Sequence, residues 1–254
     1  MQISDAVIVI TGGAQGLGRA MAEDFAARGA SLALVDMNSE QLQEAQASCE
    51  EKGAKVVRTY AANVTEEAAV ESTFAAVDAD FDGIDVLINN AGILRDGMLI
   101  KCKDGEITHK MPLSQWQSVI DVNLTGTFLC GREASAVMAK RGRKGAIINI
   151  SSVARAGNIG QTNYAATKAG VVAMTVTWAR ELGRFGIRCG AIAPGFIETP
   201  MTAAMKPEAV ERALSMVPLK RWGQPSEVAD SARFIIENDF FSGRVIEIDG
   251  GVRL

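Results

Sequence analysis

Four glycines crowd the run Thr11-Gly12-Gly13-Ala14-Gln15-Gly16-Leu17-Gly18, and the flanks of that run constrain the fold more than the glycines themselves. Before it stands the apolar stretch Val7-Ile8-Val9-Ile10. After it an amphipathic helix is expected from about Leu17 to Arg28, then a second apolar strand, Ser31-Leu32-Ala33-Leu34-Val35, closed by Asp36. Strand, glycine turn, helix, strand and terminal acid form the layout of a dinucleotide-binding βαβ unit. In that layout the glycines permit a tight turn, let backbone approach a pyrophosphate, and let helix pack on strand. N–H groups at the helix start and the helix dipole favour phosphate charge. Asp36 can accept hydrogen bonds from both adenosine ribose hydroxyls and would repel a 2′-phosphate, while Met37 adds no positive charge. The expected cofactor is therefore NAD(H) in preference to NADP(H).

The chain has 254 residues and a net charge of −4, which argues against nucleic-acid and anionic-membrane binding. No apolar run reaches membrane-spanning length and no signal-peptide layout opens the chain, so a cytoplasmic protein is expected. Cys49, Cys102, Cys130 and Cys189 lie far apart without a CxxC, which fits free thiols and offers no zinc or other metal site. With His109 the only histidine, proton chemistry falls to other groups.

Apolar strands are expected near 55–60, 84–89, 145–150, 187–193 and 244–248, with helices near 39–52, 65–80, 114–140 and 162–184. Short apolar strands alternating with helices imply a parallel sheet covered on both faces. No linker or repeat interrupts the alternation, so one domain over 1–254 is expected. Two stretches break the pattern. Residues 94–113 read as a long polar connection, with His109 at the surface. Residues 195–224 hold Met201, Met205, Met216, Phe196 and Trp222 among Pro200, Pro207 and Pro218, which suits either a substrate lid or ordinary helix packing. The 162–184 helix is apolar almost all round and should be buried on two sides. A second subunit is the expected cover for one of them, together with Val119, Val122, Phe128 and Leu129, giving a homodimer or homotetramer.

Tyr164 and Lys168 lie four residues apart on that helix, within contact range on one face. A nearby ammonium stabilises phenolate, which would make Tyr164 a usable acid or base. Ser151 and Ser152 end the fifth strand, where an α/β sheet places ligand-contacting groups. Asn123 sits between Val122 and Leu124 within a helix, a poor place for an amide without a partner.

In chain order, TGGAQGLG, NNAG, the asparagine of DVNLTGTF, INISS, YAATK and PGFIETPM resemble the motif series of the single-domain short-chain dehydrogenases/reductases, over essentially the whole chain. The resemblance implies an α/β Rossmann fold, a doubly wound seven-stranded parallel sheet with helices on both faces. It also implies a nicotinamide cofactor and a catalytic tetrad of Asn123, a serine, Tyr164 and Lys168. By resemblance Tyr164 is the general acid/base, and Lys168 lowers its pKa and binds the nicotinamide ribose. The serine polarises the carbonyl and Asn123 supports a water relay. Spacing to Tyr164 favours Ser151, strand register favours Ser152, and Ser152 is taken because a strand is stiffer than a loop. The implied cofactor contacts are Gly12, Gln15, Gly16, Leu17 and Gly18 in the glycine turn, then Asp36 and Met37. Asn63 and Val64 follow at the adenine, where Asn63 replaces an aspartate and its amide oxygen is expected to accept the adenine amino group. Asn90, Ala91 and Gly92 come next, and then Pro194, Gly195, Ile197 and Thr199. Gln15 stands where relatives that use NADP often carry arginine.

GNIGQTNYAATKAG, PGFIETPM and PLKRWGQPSEVA most resemble the 3-oxoacyl-acyl-carrier-protein reductase branch, which implies reduction of a 3-oxoacyl thioester in fatty acid synthesis. The alternatives are an NAD-linked dehydrogenase of another secondary alcohol (3-hydroxyacyl-CoA, sugar or steroid) and a non-catalytic nucleotide-binding scaffold. Lys140, Arg141, Arg143, Lys144, Arg180 and Arg184 either receive an acidic acyl-carrier protein or are solvated helix ends.

Overall fold

The computed structural model describes residues 1–199, 202 and 207–253. Pro200, Met201 and Met205 of the expected lid lie outside the described residues. Seven strands build the main sheet: β1 (Val7–Thr11), β2 (Ser31–Asp36), β3 (Val56–Ala61), β4 (Val86–Asn89), β7 (Ala146–Ile150), β8 (Arg188–Pro194) and β9 (Arg244–Ile248). They run in the order β3-β2-β1-β4-β7-β8-β9, every pair parallel. Strands β5 (Ile100–Lys103) and β6 (Glu106–Lys110) form a separate antiparallel hairpin.

The helices are α1 (Gly16–Ala26), α2 (Ser39–Glu51), α3 (Glu67–Phe81), α4 (Leu113–Ile120), α5 (Thr127–Lys140), α6 (Thr162–Leu182), α7 (Pro207–Met216) and α8 (Pro225–Glu237). Side chains of a strand alternate between the faces of the sheet, and both faces here are apolar. Ile8, Ile10, Leu32, Leu34, Val86 and Ile88 join Phe25 of α1 and Ile235 of α8 in one core. Val9, Ala33, Val35 and Leu87 join Phe74 of α3 and Met138 of α5 in the other. The sheet is therefore doubly wound, as expected.

From β1 the chain moves to β2 and β3 on one side, then returns to β4 on the other. The switch point between β1 and β4 opens a crevice at the carboxyl ends of the strands, where open α/β sheets bind ligands.

Three sequence expectations need correction. The helix near 114–140 is two helices, joined by a π-helical turn at Asp121–Gly126. The 94–113 connection is partly ordered as the β5–β6 hairpin, whose two-residue turn is Asp104-Gly105 with φ of 53° and 82°. Asp-Gly is a favoured pair for that turn, because both central residues need positive φ. Third, of the apolar residues assigned to a second subunit, Val119 and Leu129 are buried in the chain's own core, and Val122 lines the crevice. Phe128 does face outward at 43% exposure. Beside it, α6 presents Ala166, Ala169, Ala173 and Val176 to the exterior. No helix among the described residues is long and apolar enough to cross a membrane.

Candidate active site

The glycine turn takes three distinct shapes. Gly12 has φ of 64°, and a Cβ there would lie 2.9 Å from Ala91 Cα. Gly16 has φ of 56° and open space where a side chain would be. Gly18 packs so closely that a Cβ would run into the Gly12 carbonyl. Turn, open approach and tight packing are thus divided among the three.

Thr11 and Asn89 are register partners at the ends of β1 and β4, and the polar groups just beyond them lock the crevice floor. Thr11 Oγ1 accepts from Asn90 N and Ala91 N, each at 3.1 Å. Asn90 Nδ2 donates to Thr11 O at 3.1 Å and Gly12 O at 3.0 Å. Asn90 is therefore a brace between the two strand ends as well as part of the crevice wall. Asp36 ends β2, where Oδ2 accepts from Ala14 N at 3.3 Å and Oδ1 from Asn38 N at 3.1 Å.

A cleft of about 600 Å³ runs over these groups. Gly12, Gln15, Gly16, Leu17, Asp36 and Met37 line it, followed by Asn63, Val64, Asn90, Ala91 and Gly92, with Tyr164, Lys168 and Thr199 completing the wall. From β2, which carries Asp36, to β7, beside Tyr164, is three strand spacings, roughly 14 Å. That span suits a ligand of dinucleotide length, for which the open Gly16 turn and Asp36 would be the holding groups.

Four expected contacts stand differently. Gly18, Pro194, Gly195 and Ile197 are set back from the lining of the cleft, as are the expected catalytic residues Ser152 and Asn123. Gly195 is pressed against Asp249, and Ile197 is buried with its side chain against Gly223. The Asn63 side chain is also committed: Oδ1 accepts from Thr65 N at 3.1 Å and Thr65 Oγ1 at 2.9 Å, and Nδ2 donates to Glu66 Oε1 at 2.9 Å. An amide oxygen holding two donors has no lone pair left for an adenine amino group.

At the end of β7 the two serines separate. Ser151 is buried and its Oγ donates to Lys168 O at 2.8 Å. Ser152 caps the short 3₁₀ turn at Val153–Ala156, accepting from Ala154 N at 3.1 Å, and its side chain lies close enough to the Tyr164 phenol to lower its pKa. Lys168 Nζ donates to Ile150 O at 2.7 Å and sits 5.5 Å from the centre of the Tyr164 ring. Burial lowers the Lys168 pKa to about 8. Burial also pushes the Tyr164 phenol up to about 12, opposed by the Ser152 side chain and assisted by the Asp96 carboxylate. In the protein's own field, then, Lys168 does not bring the phenol below its ordinary value. Burial is the largest influence on the phenol, and Lys168 is not among those that oppose it.

Asn123 lies in the π-helical turn, fully buried. Its amide closes on one residue: Oδ1 accepts from Ile93 N at 2.8 Å and Nδ2 donates to Ile93 O at 3.0 Å. Its backbone carbonyl accepts from Thr127 Oγ1 at 2.9 Å. π-Turns of this kind recur at functional sites, and this one supplies the room for an inward amide.

Sequence reading missed Ile93, Leu94, Val122 and Ile150, the apolar wall beside Tyr164 and Lys168. It also missed the stitching of the 94–97 segment to the start of α6. Asn163 Nδ2 donates to Arg95 O at 2.9 Å, Gln161 Nε2 to Asp96 Oδ2 at 3.0 Å, and Gly97 N to Gly160 O at 2.8 Å. Asp96 thereby becomes part of the surroundings of Tyr164. The signal available was an Asn and a Gln beside Tyr164, amides that need partners.

Residues 12–253 match a family model described as enoyl-(acyl carrier protein) reductase. The 3-oxoacyl-[acyl-carrier-protein] reductase of Thermotoga maritima is 43% identical over 255 residues, covering 99% of each chain. The (3R)-3-hydroxyacyl-CoA dehydrogenase of Rattus norvegicus is 37% identical over 262 residues, covering 99% of this chain and 98% of that one. A crystal structure of 3-oxoacyl-[acyl-carrier protein] reductase from Brucella melitensis superposes with a TM-score of 0.88 at 35% identity, covering 100% of this chain and 93% of that one. Fold, cleft and likeness together define an oxidoreductase of the dinucleotide-binding α/β class. The chain belongs to the short-chain dehydrogenase/reductase family, whose members use a nicotinamide cofactor.

Proposed function

We propose that this chain is an NAD(H)-dependent reductase of 3-oxoacyl thioesters, with Ser152, Tyr164, Lys168 and Asn123 as its working residues. The observation that carries the reading is the Tyr164 ring 5.5 Å from the buried Lys168 ammonium, both on the wall of the cleft, with Ser152 close by at the end of β7. Gly12, Gly16, Asp36 and the Asn90–Gly92 turn would hold the cofactor, which supplies or accepts the hydride when bound. Ser152 donates a hydrogen bond to the substrate carbonyl oxygen. Tyr164 delivers its phenolic proton to that oxygen as negative charge develops there. The Tyr164 phenol is protonated at neutral pH and so is ready to give its proton in the reductive direction. The Lys168 ammonium compensates the phenolate left behind. Asn123 fixes Ile93 in the cleft wall, so a water relay through Asn123 runs past its backbone carbonyl rather than its amide.

Asp36 supports NAD(H), since its carboxylate is held at the end of β2 by two backbone N–H groups. Repulsion of a 2′-phosphate there is expected to give at least about tenfold discrimination, on the order of 1.4 kcal/mol. Identity to the Thermotoga and Brucella reductases supports the thioester. Likeness to the rat dehydrogenase favours a second reading, oxidation of a 3-hydroxyacyl-CoA. A panel of 3-oxoacyl thioesters and secondary alcohols, followed by NADH absorbance, separates the two. Faster turnover of alcohols than of thioesters at neutral pH would favour the second. Binding of NAD with no turnover anywhere in the panel would leave a scaffold.

The exposed Phe128 and the Ala166, Ala169, Ala173 and Val176 face support a homodimer or homotetramer in the cytoplasm. A monomer by light scattering at micromolar concentration would sink that part.

A further inference from the structure

We propose that the β5–β6 hairpin is the docking surface through which an acidic acyl-carrier protein presents its thioester to the cleft. The inference rests on the thioester reading above. The hairpin rises at the cleft's edge: Met111 N closes its base onto Leu99 O at 2.9 Å. Two residues before Leu99, Gly97 is bonded to Gly160, four residues ahead of Tyr164. Every residue from Ile100 to Lys110 except His109 is exposed, so the ribbon stands clear of the chain's own core. A two-stranded ribbon on its own is marginally stable, and one with bare apolar residues calls for a partner. Ile100 and Ile107 are each about half exposed, and Leu99, Leu113 and Ile159 are exposed nearby.

Charge selects the partner. Among the described residues, Lys101, Lys103 and Lys110 make no ion pair. Lys103 stands in register with Glu106, and Asp104 lies at the tip, so Lys101 and Lys110 carry the attraction. Lys144, Arg180 and Arg184 are equally without an ion pair among the described residues, whereas Lys140 and Arg141 are paired with Asp78, Arg141 also with Asp82, and Arg143 with Asp85. Residues 140–144 sit at the amino end of β7, the edge of the sheet opposite the cleft. Arg180 is sixteen residues beyond Tyr164 on α6, about 24 Å along the helix. Lysines interleaved with bare isoleucines fit an acidic amphipathic protein surface better than a lone nucleotide.

The test compares acetoacetyl groups on acyl-carrier protein, on coenzyme A and on N-acetylcysteamine. In Lys101→Glu/Lys110→Glu, KM for the carrier thioester should rise about tenfold or more, with kcat and KM for the N-acetylcysteamine thioester unchanged. Lys101→Gln/Lys110→Gln should give a smaller rise of the same kind, and Ile100→Ser/Ile107→Ser a rise that persists at high salt. An unchanged carrier KM, an equal rise for the small thioester, or a rise confined to coenzyme A would overturn the proposal. So would a carrier-specific rise produced by Arg180→Glu/Arg184→Glu alone. A wild type that reduces none of the three thioesters removes the thioester reading and this inference with it. Reduction of all three with indifferent hairpin variants removes only the hairpin.

Discussion

Asn123 grips Ile93 from both sides, taking its N–H at 2.8 Å and giving to its carbonyl at 3.0 Å. The pair joins the π-helical turn to the segment that follows Asn90–Gly92, so one buried amide fixes the part of the cleft wall that Ile93 forms. Asn123→Ala would leave the two backbone groups of Ile93 without their partner in a partly buried site, costing about 1–3 kcal/mol of stability. With that wall loosened, kcat should fall by about tenfold or more. Thermal unfolding and steady-state kinetics check it. A variant as stable and active as wild type would show the clamp to be dispensable.

The two serines predict opposite phenotypes. Ser152→Ala removes a hydroxyl that lowers the Tyr164 pKa and, in the proposed reaction, polarises the carbonyl, so it should lower kcat by about a hundredfold with stability nearly intact. Ser151→Ala breaks a buried bond to the Lys168 carbonyl and should cost about 1–2 kcal/mol while kcat changes only a few-fold. Reversed results would move the catalytic role to Ser151.

Lys168 carries a stability cost with a definite pH signature. Burial lowers its pKa from 10.5 to about 8, so between those values the unfolded chain binds more protons than the folded one. Stability from this group therefore rises as pH rises from about 8 to 10.5, and the penalty is full below 8. Lys168→Met should lose activity yet melt above wild type at pH 7, with the gap closing by about pH 10. Denaturant melts across pH 6–10 provide the check, and a variant less stable at every pH would contradict it.

Asp96 raises the Tyr164 pKa, and its carboxylate is held by Gln161 at 3.0 Å. Asp96→Asn removes a negative charge, makes phenolate easier to form, and moves the limb on which oxidation rises with pH to lower pH. The carboxylate is exposed, so the move should stay below about half a unit. A pH profile of kcat/KM for alcohol oxidation measures it, and a shift to higher pH would reverse the assigned sign.

The fold was legible because its signals are local. Val7–Ile10, Ser31–Val35 and the other apolar runs could only be strands covered on two faces, and the glycine turn named the crevice. Tyr164 and Lys168 were legible through their four-residue spacing. Harder to see was whatever depended on chain segments meeting across the fold. Nothing in DVNLTG says that the helix widens into a π-turn or that Asn123 pairs with Ile93, thirty residues away. The prior commitment of Asn63 to Thr65 and Glu66 was visible in principle, since both are close in sequence. The β5–β6 hairpin was missed although Asp104-Gly105 marks its turn, because the lysines and acids around it masked the short alternation of Ile100, Cys102 and Ile107. Burial decided the sign at Tyr164, and burial is a property of the folded chain. A Tyr/Lys spacing alone pointed to a lowered pKa where the packed site raises it.

The central claim is that Tyr164 protonates a thioester carbonyl beside a cofactor chosen by Asp36. Paired steady-state kinetics on acetoacetyl thioester with NADH and with NADPH, for wild type and Tyr164→Phe, test it most directly. The predicted result is a kcat/KM with NADH at least about tenfold above that with NADPH, and a loss of about a hundredfold or more in kcat for Tyr164→Phe with cofactor affinity retained. A wild type that prefers NADPH, or a Tyr164→Phe variant that still turns over at the wild-type rate, would contradict it.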